Sequence, residues 1–127
     1  MIPGKYDIVM WRGSTWEISL NADGLDFNIY DEIRMQVRPP WTNGKPVSQP
    51  PLLLLDKNNG RAVVSADGLT LTLTVSAADT TAFTFDSGIY DLELVQNADL
   101  TANPPIPERV VHKLIYGTIT IKSEVTI

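Results

Sequence analysis

Asp91 and Glu93 come nearest to residues whose types and spacing could do chemistry. They lie two apart in Gly88-Ile-Tyr-Asp-Leu-Glu-Leu-Val-Gln96. In an extended chain that spacing puts both carboxyls on one face, ~7 Å apart. Carboxyls so placed can act as the acid and base of glycoside hydrolysis. The simpler reading is two acids on the wet face of a strand, and nothing beside them raises the catalytic one. His112 is the only histidine. With no serine or cysteine motif near it, it reads as a surface or edge-strand residue rather than a general base, and alone it cannot build a zinc site. Asp56-Lys-Asn-Asn-Gly60 opens like a calcium loop, with Asp67 where a closing acid would stand. The stretch between them reads as a strand, not the helix of an EF-hand, so a turn is the expectation. The absence of cysteine removes disulfides, thiolate ligands and cysteine nucleophiles. No catalytic residue, metal or cofactor is expected, and the chain does not read as an enzyme.

The elements that position these groups follow from composition and pattern. The 127 residues fit a single domain, 1–127, long enough to bury a core. A net charge of −5 argues against a nucleic-acid partner, which needs surplus Lys and Arg. The longest purely aliphatic run is Leu52 to Leu55, far short of a membrane span, and no signal-peptide pattern opens the chain. A soluble protein is expected. Thr, Val and frequent Pro and Gly favour strands joined by turns.

In chain order, Tyr6 to Trp11 reads as a first strand, broken by Arg12-Gly13-Ser14. Trp16, Ile18 and Leu20 alternate with polar residues, and Asn21 to Gly24 turns the chain into a short return segment at Leu25 and Phe27. Ile33, Met35 and Val37 should face the core, with Arg34, Gln36 and Arg38 outward. Pro39-Pro40 ends that strand. The loop to Pro51 carries Pro39, Pro40, Pro46, Pro50, Pro51 and Trp41. Four consecutive leucines at 52–55 cannot share one face, so that strand is covered on both sides or has one side at an interface. Arg61 to Ser65 and Leu69 to Val75 read as a hairpin, with Leu69, Leu71, Leu73 and Val75 inward. Ser76-Ala-Ala-Asp79 caps one short helical turn near 76–83, the only helix expected. Gly88 to Gln96 should be a central strand, with Tyr90, Leu92, Leu94 and Gln96 on the dry side and Ile89, Asp91, Glu93 and Val95 on the wet side. Glu108 to Ile115 and Gly117 to Lys122 complete the set, with Gly117 as a bulge, and strand chemistry continues to Ile127.

Short strands, frequent turns and almost no helix point to an all-β protein, a single antiparallel, immunoglobulin-like β-sandwich. Contacts with other proteins are expected where prolines stiffen loops or apolar residues lack a core. These are Pro39, Pro40 and Trp41, then Leu52 and Leu54, and Val125 and Ile127 on a last strand open to β-augmentation. Arg34 and Arg38 form a polar row suited to an acidic partner or to solvent. Trp41 serves an interface or a sugar ring, or else lids one end of the sandwich.

Four motifs, in order, resemble a family of small immunoglobulin-like proteins of tailed bacteriophages, found in baseplates and tails or heading receptor-binding fibres. They are Arg12-Gly-Ser-Thr-Trp16; Asp26-Phe-Asn-Ile-Tyr30 with Ile33-Arg-Met-Gln-Val-Arg38; Leu69-Thr-Leu-Thr-Leu73 with Ser76-Ala-Ala-Asp-Thr80; and Gly88-Ile-Tyr-Asp-Leu-Glu-Leu94 with Gly117-Thr-Ile-Thr-Ile121. The resemblance runs from about residue 8 to the end. It implies a non-enzymatic virion protein, made in the host cytoplasm, that docks fibres or receptor-binding proteins onto a tail or baseplate. Its partners would be other phage structural proteins and copies of itself. The loop from Pro39 to Pro51 is longer and richer in proline than the family pattern, and no shaft follows the sandwich, so a fibre would bind as a separate chain. A head decoration or head-to-tail closure protein needs the same sandwich. A carbohydrate-binding module using Trp41 and nearby tyrosines is the alternative from another class.

Overall fold

The computed structural model describes residues 3–42 and 50–123. The alternating stretches become nine strands: β1 (Gly4–Lys5), β2 (Ile8–Trp11), β3 (Trp16–Leu20), β4 (Glu32–Arg38), β5 (Leu53–Asp56), β6 (Ala62–Val64), β7 (Leu71–Val75), β8 (Ser87–Gln96) and β9 (Val110–Lys122). One sheet has the order β1-β9-β8-β4-β5, with β2 also on β9; the other has the order β3-β7-β6. Reading β2 to β9 as A′, B, C, C′, D, E, F and G gives the immunoglobulin arrangement, A′GFCC′ facing BED. The sandwich is antiparallel except at one place. There β1 and β2 run parallel to β9, because the first and last strands share an edge.

The core lies between the sheets. Ile33, Met35, Val37, Leu92, Leu94, Ile119, Leu71, Leu73 and Val75 are fully enclosed, as the period of two requires. Phe27, in a 3-10 turn (Phe27–Ile29), is also fully buried. The expected return strand at Leu25 and Phe27 is therefore this turn: Asp26 accepts the N–H of Asn28, and Phe27 N–H bonds Gly68 O, which commits the backbone elsewhere than a ladder. The expected helix is present as α1 (Ala77–Ala82), with Ser76 Oγ accepting the Asp79 N–H at 3.1 Å. A second 3-10 turn, Pro40–Thr42, follows β4.

Four positions depart from the sequence reading. Leu69 is exposed, because the turn from Ser65 lasts to Thr70 and the Leu69 N–H is bound by Asp67. Val95 is fully buried, paired between Val111 and Glu32 instead of facing water, whereas Gln96, expected on the dry side, is half-buried. The two segments expected around Gly117 are the single strand β9, and its irregularity falls opposite Leu92 and Glu93, where Leu114 is the extra residue. Gly117 answers a different need: a Cβ there would collide with the Tyr6 carbonyl and the Asp7 carboxylate. At that crossing Tyr6 O accepts the Tyr90 hydroxyl, and Asp7 Oδ1 takes the Thr118 N–H at 3.0 Å. The Thr118 N–H, then its hydroxyl, hold the Asp7 carboxyl below the usual range.

Candidate interaction surface

The outer face of the larger sheet is built by cross-strand register. β4 presents Glu32, Arg34, Gln36 and Arg38, and β8 places Glu93 beside Arg34 and Asp91 beside Gln36. Beyond β8, Lys113 of β9 reaches Asp91 at 3.1 Å. Arg34 lies 3.7 Å from Glu93 and 3.8 Å from Glu32, contacts too long for hydrogen bonds. Its Nε is buried and has no hydrogen-bond partner among the described residues. Arg109 adds a second cation, 3.6 Å from Glu32. Arg38 donates to Gln36 Oε1 at 3.1 Å. In the row expected to suit an acidic partner or solvent, Arg34 is thus flanked by acids of its own sheet and Arg38 by Gln36. Asp91 and Glu93 accordingly stand in an ion-pair lattice with Lys113 and Arg34.

The other chemical candidates are also committed to the fold. Asp56 Oδ1 accepts the Asn59 N–H at 2.7 Å, and Asn59 Oδ1 accepts the N–H groups of Asp56 and Arg61. Asp67 Oδ1 accepts the Ser65 hydroxyl and the Leu69 N–H, which lower its pKa. Both stretches are closed turns, and among the described residues no group of His, Cys, Asp or Glu is arranged to hold a metal. His112 is half-buried, with Tyr30 edge-on at 6.4 Å between ring centres. Burial raises the Tyr30 pKa. No helix among the described residues is long and apolar enough to cross a membrane.

Of the residues expected to contact partners, Pro39, Pro40, Trp41 and Leu52 lie at one corner. β5 pairs with β4 through Val37–Leu53, Gln36–Leu54 and Arg34–Asp56, and Leu52 N–H bonds Val37 O at 2.7 Å. Pro39, Pro40 and Trp41 therefore leave β4 at the end where Leu52 enters β5. Pro40 opens the 3-10 turn, where a missing N–H costs nothing. Trp41 is 68 % exposed and Leu52 38 %. Pro40 is exposed, whereas Pro39, Leu54, Arg34 and Arg38 are half-buried. Leu53 and Leu55 fill the core, which resolves the leucine run into an inner pair and an outer pair. Val125 and Ile127 lie outside the described residues.

The free side of β5 is closed. Leu54 O, which points away from β4, accepts Asn59 Nδ2 at 2.8 Å and Arg61 Nη1 at 3.2 Å. Arg61 is in turn held by Asp79 of α1 at 2.9 Å. Strand addition at this edge would have to displace both caps. The corner thus offers side chains and loops, not backbone.

Val9 and Trp11, exposed on β2, were not among the expected contacts. Ile8 to Trp11 is apolar throughout, so its pattern could not say which side faces out. No protein-family model matches the sequence, and no curated protein matches it.

Proposed function

We propose that this chain is a structural virion protein of a tailed phage, an adaptor that docks fibres or receptor-binding proteins on a tail or baseplate. The observation that carries the reading is the corner formed by Pro40, Trp41 and Leu52: an exposed tryptophan on a proline-stiffened turn beside an exposed leucine. Tryptophan is among the residue types enriched in the hot spots at the centre of protein interfaces. Proline lowers the entropy lost when the turn is fixed by a partner. The ordered motifs supply the tailed-phage part of the proposal. A sugar-binding reading draws less support, because Tyr30 and Tyr90 are buried, and Tyr6 and Tyr116 lie on the β1–β9 side of β8.

Particles assembled with Trp41→Ala test the proposal. Electron microscopy and quantitative mass spectrometry of purified particles should show fibres lost at least several-fold, while the isolated variant keeps the wild-type denaturant midpoint. Fibres at wild-type occupancy would overturn the docking role of this corner. Saccharide-specific binding by the monomer on a glycan array, lost in Trp41→Ala, would replace it with the carbohydrate reading.

A further inference from the structure

We infer that the outer edge of β2 pairs with β2 of a second copy of this chain, antiparallel about a two-fold axis at Val9. The pairing stands apart from the virion role and needs no phage partner.

The first argument is backbone direction. Tyr6 and Arg12 donate their N–H groups to Tyr116 O and Lys122 O of β9, each at 2.8 Å. In a parallel ladder the residues that face the neighbour alternate. Ile8 and Met10 therefore share the phase of Tyr6 and Arg12, and the backbone groups of Val9 and Trp11 turn away from β9. Trp11 O is taken by Ser14 N–H at 3.0 Å, inside its own turn. Within β2, and among the described residues, Val9 N–H, Val9 C=O and Trp11 N–H are the backbone groups left pointing outward.

The second argument is that this edge lacks the protection given to the opposite one. β5 has its outward carbonyl capped by Asn59 and Arg61. β2, Ile-Val-Met-Trp, carries no charge, proline or bulge. Its outward side chains are apolar and solvent-exposed, Val9 at 46 % and Trp11 at 43 %. Lys122 lies over the Trp11 ring, 5.5 Å from its centre.

The third argument selects the occupant. With the axis at Val9, the two Val9 residues exchange both hydrogen bonds, and each Trp11 N–H reaches the Asp7 carbonyl of the other copy. Each outward group named above then has a partner, and no like charges meet within the β2–β2 seam, because β2 has none. A C2 contact requires such self-complementarity. The seam is one short strand wide, so a reversible dimer is expected.

Sedimentation velocity on the full chain over a hundredfold concentration range tests this. The weight-average mass should rise from 14.0 kDa toward twice that value. Val9→Lys sets two ammonium groups against each other at the axis and should weaken association by about tenfold or more. Because the chain has no cysteine, an introduced thiol can pair only with its own image. Val9→Cys should form a disulfide dimer under mild oxidation far faster than Val63→Cys, a more exposed position on β6. A wild-type chain that stays monomeric, or Val63→Cys cross-linking as fast as Val9→Cys, overturns the pairing. Val9→Lys associating as wild type overturns it as well.

Discussion

Replacing Thr80 with valine tests how the ends of the two sheets are tied. Thr80 is the one fully buried polar residue among those described. Its hydroxyl donates to Ser14 O at 2.8 Å, lies 3.1 Å from Ala77 O, and accepts Gly13 N–H at 3.1 Å. It thereby joins the turn after β2 to α1, which precedes β8. Valine keeps the shape and removes the hydroxyl. Two long-range hydrogen bonds are lost at about 1 kcal/mol each, with the exposed Gly13 N–H free to find water, so the cost is about 2 kcal/mol. An unfolding entropy of roughly 0.27 kcal/mol/K for a chain of this length converts that to a fall in Tm of about 7 °C. Thr80→Ser keeps the hydroxyl and loses one methyl, about 0.8 kcal/mol. Urea unfolding followed by tryptophan fluorescence, with m-values held equal, measures both. If Thr80→Val falls within about 0.5 kcal/mol of wild type, or Thr80→Ser is the worse of the two, the methyl packs the corner and the hydrogen bonds do not hold it.

Two further outcomes follow from the β1–β2–β9 crossing. Burial, together with Tyr6 and Asp7 nearby, pushes the Tyr90 hydroxyl well above its ordinary pKa of 10.0. A raised folded pKa contributes stability that is complete below the unfolded value and is lost as pH rises through the folded one. Stability should therefore decline above about pH 10, and Tyr90→Phe should flatten that decline while costing about 1–2 kcal/mol at pH 7. Identical alkaline slopes in pH-dependent urea titrations would refute the assignment. Gly117→Ala should cost about 2–3 kcal/mol, because its Cβ would meet the Tyr6 backbone carbonyl as well as the Asp7 carboxylate, and backbone cannot turn aside as a side chain can. Gly4→Ala, whose Cβ meets only Ile115 Cγ2, at 3.9 Å, among the described residues, is the near-neutral control in the same assay.

Much of the fold was legible because strands with one wet face alternate. Ile33 to Val37, Leu71 to Val75 and Tyr90 to Leu94 all bury the side their pattern indicates. Ile8–Trp11 and Leu52 to Leu55 were not legible in this way, since an all-apolar run carries no phase. Leu69 was misplaced because the pattern does not show where a turn ends. Register was invisible too. The sequence shows Arg34, Asp91, Glu93 and Lys113 as separate surface charges, and only the pairing of β4, β8 and β9 sets them side by side. At the candidate corner, proline and tryptophan marked an unusual loop, but only the placement of β5 on β4 brings Leu52 to it. The first of the four motifs, Arg12 to Trp16, also proves to be part of a structural joint. Arg12 bonds Phe83 O, Phe85 O and Asp86, Gly13 meets Thr80, and Trp16 pairs with Val75. Such residues are demanded by the sandwich itself, so they speak to the fold more directly than to the partner.

The parallel seating of β2 against β9 also sets how the domain answers mechanical load. The chain passes through β2 near its start and through β9 near its end, and the two strands point the same way. A pull between the segments entering β1 and leaving β9 drives these strands along their length in opposite directions. The hydrogen bonds from Ile8–Ile119 to Trp11–Lys122 are then loaded together in shear, not opened one at a time from an end. Arg12, bonded at once to Asp86 and Ser123, braces the far end of that seam. Tension along the chain is therefore borne first by the strand pair at the edge of the larger sheet, while the core behind it stays closed.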